Sequence, residues 1–251
     1  MDSLRNKINE KEYNNEYSKN LLKFENHFYN IFGACKNSFQ MGCGSYLFDG
    51  QNYKYQIETY NKQKILFEKS KNKKNILEIG TYMGHSLLII LMSNPTARIT
   101  SIDIDDKYAL PSINYLKKVF PKSRIKFLKG DSLKILKKLK EKYDLIHIDG
   151  AHKNKIVTKE FYHCMELIKN TNAEFVFDDK ENIKTLIKNL FSIYNIIDHE
   201  FSRCIHGNFY AKISFPRNKQ LFLYKKIFFV IKNKFSSISL KIKKLLKFMR
   251  L

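Results

Sequence analysis

At 251 residues, with 43% hydrophobic and 14% aromatic content, the chain can bury a core; this excludes a disordered chain and favours one domain with appendages. Its formal net charge is +22, from 46 Lys and Arg against 24 Asp and Glu. Nearly all the basic residues are Lys, and Asn and Ile are also abundant, so the charge reads as compositional bias and not as a nucleic-acid footprint.

Residues 1–70 read as a mainly helical cap segment, polar but with aromatics at Tyr13, Tyr17, Phe24, Phe28 and Phe32. They are expected to pack over one edge of the domain or to roof its site. The first stretch has no signal-peptide apolar region, and no run reaches the roughly 18 apolar residues that span a bilayer. The four cysteines, Cys35, Cys43, Cys164 and Cys204, form no CxxC pair. Reduced, mostly buried thiols in a cytoplasmic protein are the expectation.

From residue 71 the pattern alternates. "NILEIG" (75–80) is an apolar strand and "HSLLIILMS" (85–93) a helix. "ARITSIDI" (97–104) is a strand, and "PSINYLKKVF" (111–120) a helix with Pro111 in its first turn. "RIKFLKG" (124–130) alternates as a strand, and "SLKILKKLKEK" (132–142) carries a helical apolar stripe. "YDLIHIDG" (143–150) is a strand. Residues 155–169 form a helix with Val157, Phe161, Cys164, Met165 and Ile168 on one face. "AEFVFDD" (173–179) is a strand, followed by a helix at about 182–194. Strands and helices of this length mean βαβ units, a parallel sheet and helices on both faces. "NFYAKISF" (208–215) and "QLFLYKK" (220–226) flank "PRNK" and predict an antiparallel hairpin at one sheet edge.

The last stretch is different again. Residues 216–251 hold eleven Lys and Arg and no Asp or Glu, half of the chain's excess charge. Within 227–251, Ile227, Ile231, Phe235, Ile238, Ile242, Leu245 and Met249 recur at helical spacing, with Lys and Arg opposite. A basic amphipathic helix of this kind suits an anionic membrane surface; a helix docked on its own domain or on a partner chain has the same pattern.

Ligands of open α/β sheets bind beyond the carboxyl ends of the strands. Those ends carry Gly80-Thr81-Tyr82-Met83-Gly84-His85-Ser86, then Asp103 and Asp105, Gly130-Asp131-Ser132, Asp149-Gly150-Ala151-His152 and Asp178-Asp179. The glycines let backbone approach a ligand, and the following helix offers free N–H groups. Asp103 stands where a ribose diol would be gripped by a carboxylate. Together these specify a nucleoside-bearing cofactor, and the absence of GxGxxG argues against a dinucleotide. Asp149, Asp178 and Asp179 make a hard oxygen set of the kind that favours Mg²⁺. The plainer alternatives are a turn at Asp149-Gly150 and helix capping by one of the paired aspartates.

The spaced set "LEIGTYMGHS", "ITSIDID", "KGDS", "IHIDGAH" and "FVFDD" resembles the class I S-adenosylmethionine-dependent methyltransferases. Within them it resembles the metal-dependent O-methyltransferases, both the catechol/caffeoyl-CoA type and the macrocin-type sugar enzymes. The resemblance covers about residues 60–226, so 71–226 is read as the methyltransferase domain. It implies a seven-stranded Rossmann-like sheet with a reversed last strand. It also implies that Gly80, Tyr82, Gly84 and Ser86 surround the methionine part of S-adenosyl-L-methionine, that Asp103 binds the ribose, that Asp131 and Ser132 lie near the adenine, and that Glu78 and Thr81 also belong to the cofactor site. Asp149, Asp178 and Asp179 would hold the metal. His152 stands where the catechol type carries a lysine base, and Asp179 is Asp where that type has Asn, which leans towards the sugar-modifying branch. The expected acceptor is a hydroxyl on a small molecule or glycan. The alternatives are a metal-independent enzyme with His152 as base, or a non-catalytic membrane- or RNA-binding module. No RNA-binding module or base-methylation motif is visible, which sets nucleic acid aside as a partner. A homodimer is allowed for, with no motif that decides it.

Overall fold

The computed structural model of the chain describes residues 14–37, 57–169, 172–202 and 206–214. Seven strands form one sheet: β1 Asn75–Ile79, β2 Arg98–Asp103, β3 Arg124–Lys129, β4 Leu145–Ile148, β5 Asn172–Phe177, β6 Asn195–Phe201 and β7 Phe209–Ser214. Their order is β3-β2-β1-β4-β5-β7-β6. Neighbours pair in parallel except β7, which runs antiparallel to both β5 and β6. This is the Rossmann-like sheet with a reversed C-terminal strand.

The parallel strands read as unbroken apolar runs because both faces are covered. Side chains alternate across the sheet, so neighbours enter different cores. Ile76, Ile99 and Val176 join the core under the N-terminal helices, whereas Leu77, Ile102 and Phe175 join the opposite one. On the first face lie α1 Glu16–Phe24, α2 Asn26–Ala34, α3 Ile57–Ser70, α4 His85–Ser93 and α5 Ala109–Val119. On the second lie α6 Ser132–Leu136, α7 Asn154–Met165 and α8 Lys184–Ile193, where Phe161 packs on Phe175 with ring centroids 5.1 Å apart. Tyr17 and Phe28 of the N-terminal helices are buried, the latter edge-on to His85. Helices α1, α2 and α3 therefore pack on the sheet, and α3 also lends Lys62, Gln63 and Leu66 to a cleft described below.

Two expectations need correction. The hairpin partner of β7 is β6, upstream, and not residues 220–226. Both edges of β7 are already taken by β5 and β6. β6 escapes an apolar-pattern reading because it is an edge strand, mostly solvent-facing, with Asp198, His199 and Glu200 in its middle. The helix expected over 132–142 is only α6, Ser132–Leu136. Lys134 and Lys138, one turn apart, work against its continuation, and Leu139 is buried from a loop instead.

Cys35 and Cys164 are buried thiols, as expected for structural cysteines. Cys43, Cys204, the strand read at 220–226 and the basic stretch 227–251 lie outside the described residues. Among the described residues no helix is long and apolar enough to cross a membrane.

Candidate active site

A cleft of about 770 Å³ opens at the carboxyl ends of the strands. Its position is the switch point of the sheet, where β1 lies between β2 and β4 and the strand order reverses. The loop after β1 forms one wall. Gly80 adopts φ +89° and Gly84 φ +69°, left-handed backbone that L side chains rarely adopt. Gly80 also leaves no room for a side chain: a Cβ there would stand 2.2 Å from the Asp149 carbonyl oxygen. The Gly84 N–H donates to the Thr81 carbonyl at 2.7 Å, closing the turn, and α4 begins at once.

Asp103, at the end of β2, is the clasp of this loop. Its Oδ2 accepts the N–H of Thr81 at 2.7 Å and of Tyr82 at 2.8 Å. Its Oδ1 accepts the N–H of Asp105 at 3.0 Å. The Thr81 and Ser101 hydroxyls meet below it. Glu78 is fully buried at 0% exposure beside His147, Oε1 to Nδ1 3.5 Å, so it lies beneath the cleft and not on its lining. Gly80, Thr81, Tyr82, Ser86, Asp103, Asp131 and Ser132 all border the cleft. Gly84 supports the turn from behind, against Ser112.

At the far end, Asp131 caps α6, accepting the N–H groups of Leu133 and Lys134. Ser132 donates to Oε1 of Glu160 at 2.5 Å. Glu160 is 1% exposed yet borders the cleft, and its Oε2 has no partner among the described residues. Burial lifts its carboxyl above the usual range, with Ser132 opposing. Glu160 was not anticipated from the sequence. The signal was an acid on the buried face of α7, one turn from Val157.

The acidic end is built by β4, β5 and α3. Asp149 and Asp178 follow their strands, and His152 joins them: one ligand atom from each lies within 4.8 Å of the others. Asp179 belongs to a neighbouring group. It has φ +48° and makes no side-chain cap bond, so capping does not account for its carboxylate. It faces His152 Nδ1 at 2.9 Å and His206 Nδ1 at 3.4 Å. The hydrogen bond with His152 draws Asp179 down to about 2 and lifts His152. The Lys62 ammonium reaches in from α3, 2.5 Å from Asp178 Oδ1. Burial opposes its charge, but Asp178 and Asp149 more than offset this and hold Lys62 protonated. Asp149 is pushed up by burial and by Asp178, with Lys62 acting against the rise. Lys62 and His206 are cleft residues that the sequence did not single out. His85 is buried against Phe28, and burial lowers its pKa to about 3.

The family model for O-methyltransferases matches residues 56–180, the segment that carries the loop, the clasp and the acidic end. Over this segment the chain matches the O-methyltransferase family. It is 30% identical over 122 residues to tapetum-specific methyltransferase 1 of Arabidopsis thaliana, a match covering 47% of this chain and 51% of that protein. The chain thus spans about half the length of this curated relative. Among solved structures, the O-methyltransferase from Bacillus cereus in complex with SAH superposes with a TM-score of 0.53 at 14% identity, over 76% of this chain and 91% of that one. The N-methyltransferase NodS from Bradyrhizobium japonicum WM9 gives 0.51 at 16% identity, over 64% and 98%. One sheet serves transfer to oxygen and to nitrogen, so the fold leaves the acceptor atom open.

The residues fit both groups that this family implies. Left-handed glycines, a carboxylate clasp and an orphaned buried carboxyl oxygen suit a nucleoside-bearing cofactor. Two carboxylates and an imidazole suit a divalent cation, although this donor set is less purely oxygen than three aspartates and admits Mn²⁺ as readily as Mg²⁺.

Proposed function

We propose that the chain transfers the methyl group of S-adenosyl-L-methionine to a hydroxyl of a small molecule or sugar, assisted by a divalent cation. The observation that carries this reading is that one cleft holds a glycine loop clasped by Asp103 at one side and the Asp149–Asp178–His152 cluster at the other. Asp103 keeps the loop N–H groups in a fixed array, so the cofactor meets a preorganised wall. Asp149, His152 and Asp178 would hold the metal, and Asp179 orients the His152 ring through its Nδ1. A bound cation supplies charge that makes an acceptor hydroxyl easier to deprotonate. With Nδ1 bonded to Asp179 and Nε2 on the metal, His152 has no lone pair for that proton, so it acts as base only in the metal-free reading below. Holding acceptor and methyl donor in line accounts for much of the remaining acceleration.

Melting curves with S-adenosylhomocysteine, with and without Mg²⁺, test the reading. A ligand at about 100 times its dissociation constant stabilises the native state by about 2.7 kcal/mol. Asp178→Ala should keep the S-adenosylhomocysteine shift and lose turnover on any acceptor found. Full activity in that variant would refute the metal's role. A second reading, transfer without metal and with His152 as base, is favoured by the ammonium of Lys62 on Asp178; indifference of the rate to EDTA would support it. The basic stretch 227–251 is proposed on its sequence pattern to contact anionic membrane. Co-sedimentation with phosphatidylserine vesicles, with and without that stretch, checks it.

A further inference from the structure

The acidic cluster already has a cation beside it, and that cation belongs to the protein. Lys62 comes from α3, which is held by the buried Leu66 and Phe67 and by the Tyr60 hydroxyl, 2.6 Å from Ser18 Oγ. The side-chain amide of Asn208 donates to the Lys62 carbonyl at 3.2 Å and ties this turn of α3 to the start of β7. The ammonium is thus delivered from a fixed helix to a fixed carboxylate, and its side chain is only 16% exposed. A buried ammonium at such a place neutralises acids that would otherwise repel each other. A divalent ion does the same job with twice the charge, and the two cations would repel at a few ångströms.

We infer that the Lys62 ammonium and a divalent cation are mutually exclusive occupants of the Asp149–Asp178 cluster, so that α3 sets whether metal enters. The inference rests on that cluster being the metal site of the reading above. Metal entry requires the Lys62 side chain to swing out or α3 to shift. The N-terminal segment thereby becomes a gate on the chemistry of the sheet, and anything that moves α3, an acceptor included, changes metal affinity.

The test is Mn²⁺ binding to the full chain without cofactor, followed by the EPR signal of the free ion. Lys62→Met removes the competing charge and keeps most of the stem. It should bind Mn²⁺ tighter than wild type by about tenfold or more. Lys62→Arg keeps the charge and should bind no tighter than wild type. Lys62→Met combined with Asp178→Asn should lose the gain. Should Lys62→Met fold poorly, Lys62→Gln carries the same expectation. The melting point of the neutral variants should rise with Mn²⁺ more than that of wild type, because metal replaces the lost counter-ion. Neutral variants that bind Mn²⁺ no tighter than wild type overturn the inference, as does an Arg variant that binds as tightly as the Met one. The S-adenosylhomocysteine melting shift, measured on the same samples, separates the two levels. A retained shift with failed Mn²⁺ results sinks the gate alone; no shift in any sample sinks the methyl-transfer reading.

Discussion

Gly80→Ala probes the junction on which the cleft depends. Gly80 stands at φ +89°, and a Cβ there would meet the Asp149 carbonyl oxygen at 2.2 Å, its carbon at 2.5 Å and Gly150 Cα at 2.7 Å. All three are backbone atoms, so no side chain can rotate away. The Asp149 N–H is itself bonded to the Ile79 carbonyl at 2.7 Å, and the Gly80 N–H to the Ile102 carbonyl at 2.8 Å. Relief must therefore come from parting β1 and β4 beside the acidic cluster. A strained backbone conformation costs about 1–3 kcal/mol and overpacking about 1–3 more, so the variant should lose about 2–6 kcal/mol. For a domain of this size that is a fall in melting temperature of about 4–24 °C. Gly84→Ala is the internal control. Its φ is +69°, but its Cβ would meet only side-chain atoms, the tightest Ser112 Cβ at 3.1 Å, so it should lose about half as much or less. Thermal unfolding of the three proteins decides. A Gly80→Ala melting point within about 2 °C of wild type, or a larger loss in Gly84→Ala, would refute the reasoning.

Asp103→Asn leaves one carbonyl oxygen where two carboxylate oxygens accept three N–H groups. It should weaken S-adenosylhomocysteine by about tenfold in calorimetry, and unchanged affinity would remove Asp103 from the cofactor site. Glu160 is held above its ordinary value of 4.5 by burial, so folding takes up a proton. Its stability contribution is complete below the unfolded value and lost as pH rises through the folded one. Glu160→Gln imitates the protonated acid, so it should melt higher than wild type at about pH 8 and alike at about pH 4. A lower melting point at the higher pH would contradict this.

The residues that became readable early share one property: their role follows from neighbours in the chain. Ile76 to Ile79 read as a buried strand because both faces of the sheet are covered, so no polar residue interrupts the pattern except Glu78. The glycine loop read as a ligand wall because its spacing lies within one turn between strand and helix. β6 was invisible for the opposite reason. An edge strand faces water, and Asp198, His199 and Glu200 erase the apolar signal.

The sequence alone thus determined the alternating sheet and the list of acids at the strand ends, since each depends on local period and on which end of a strand a residue occupies; the reversed final strand was legible only through the resemblance to methyltransferases, because its true neighbour β6 carries no apolar pattern. Tertiary structure decided which of those acids share a site. Asp149 and Asp178 meet because β4 and β5 are adjacent, while Asp179 turns to His152 and His206 because its backbone enters the left-handed region. It also chose one lysine, Lys62, from among many. No pattern along a chain rich in lysine marks the residue that α3 will carry to Asp178. Convergence of side chains from separate elements is a property of packing, and packing is what a linear period leaves unspecified.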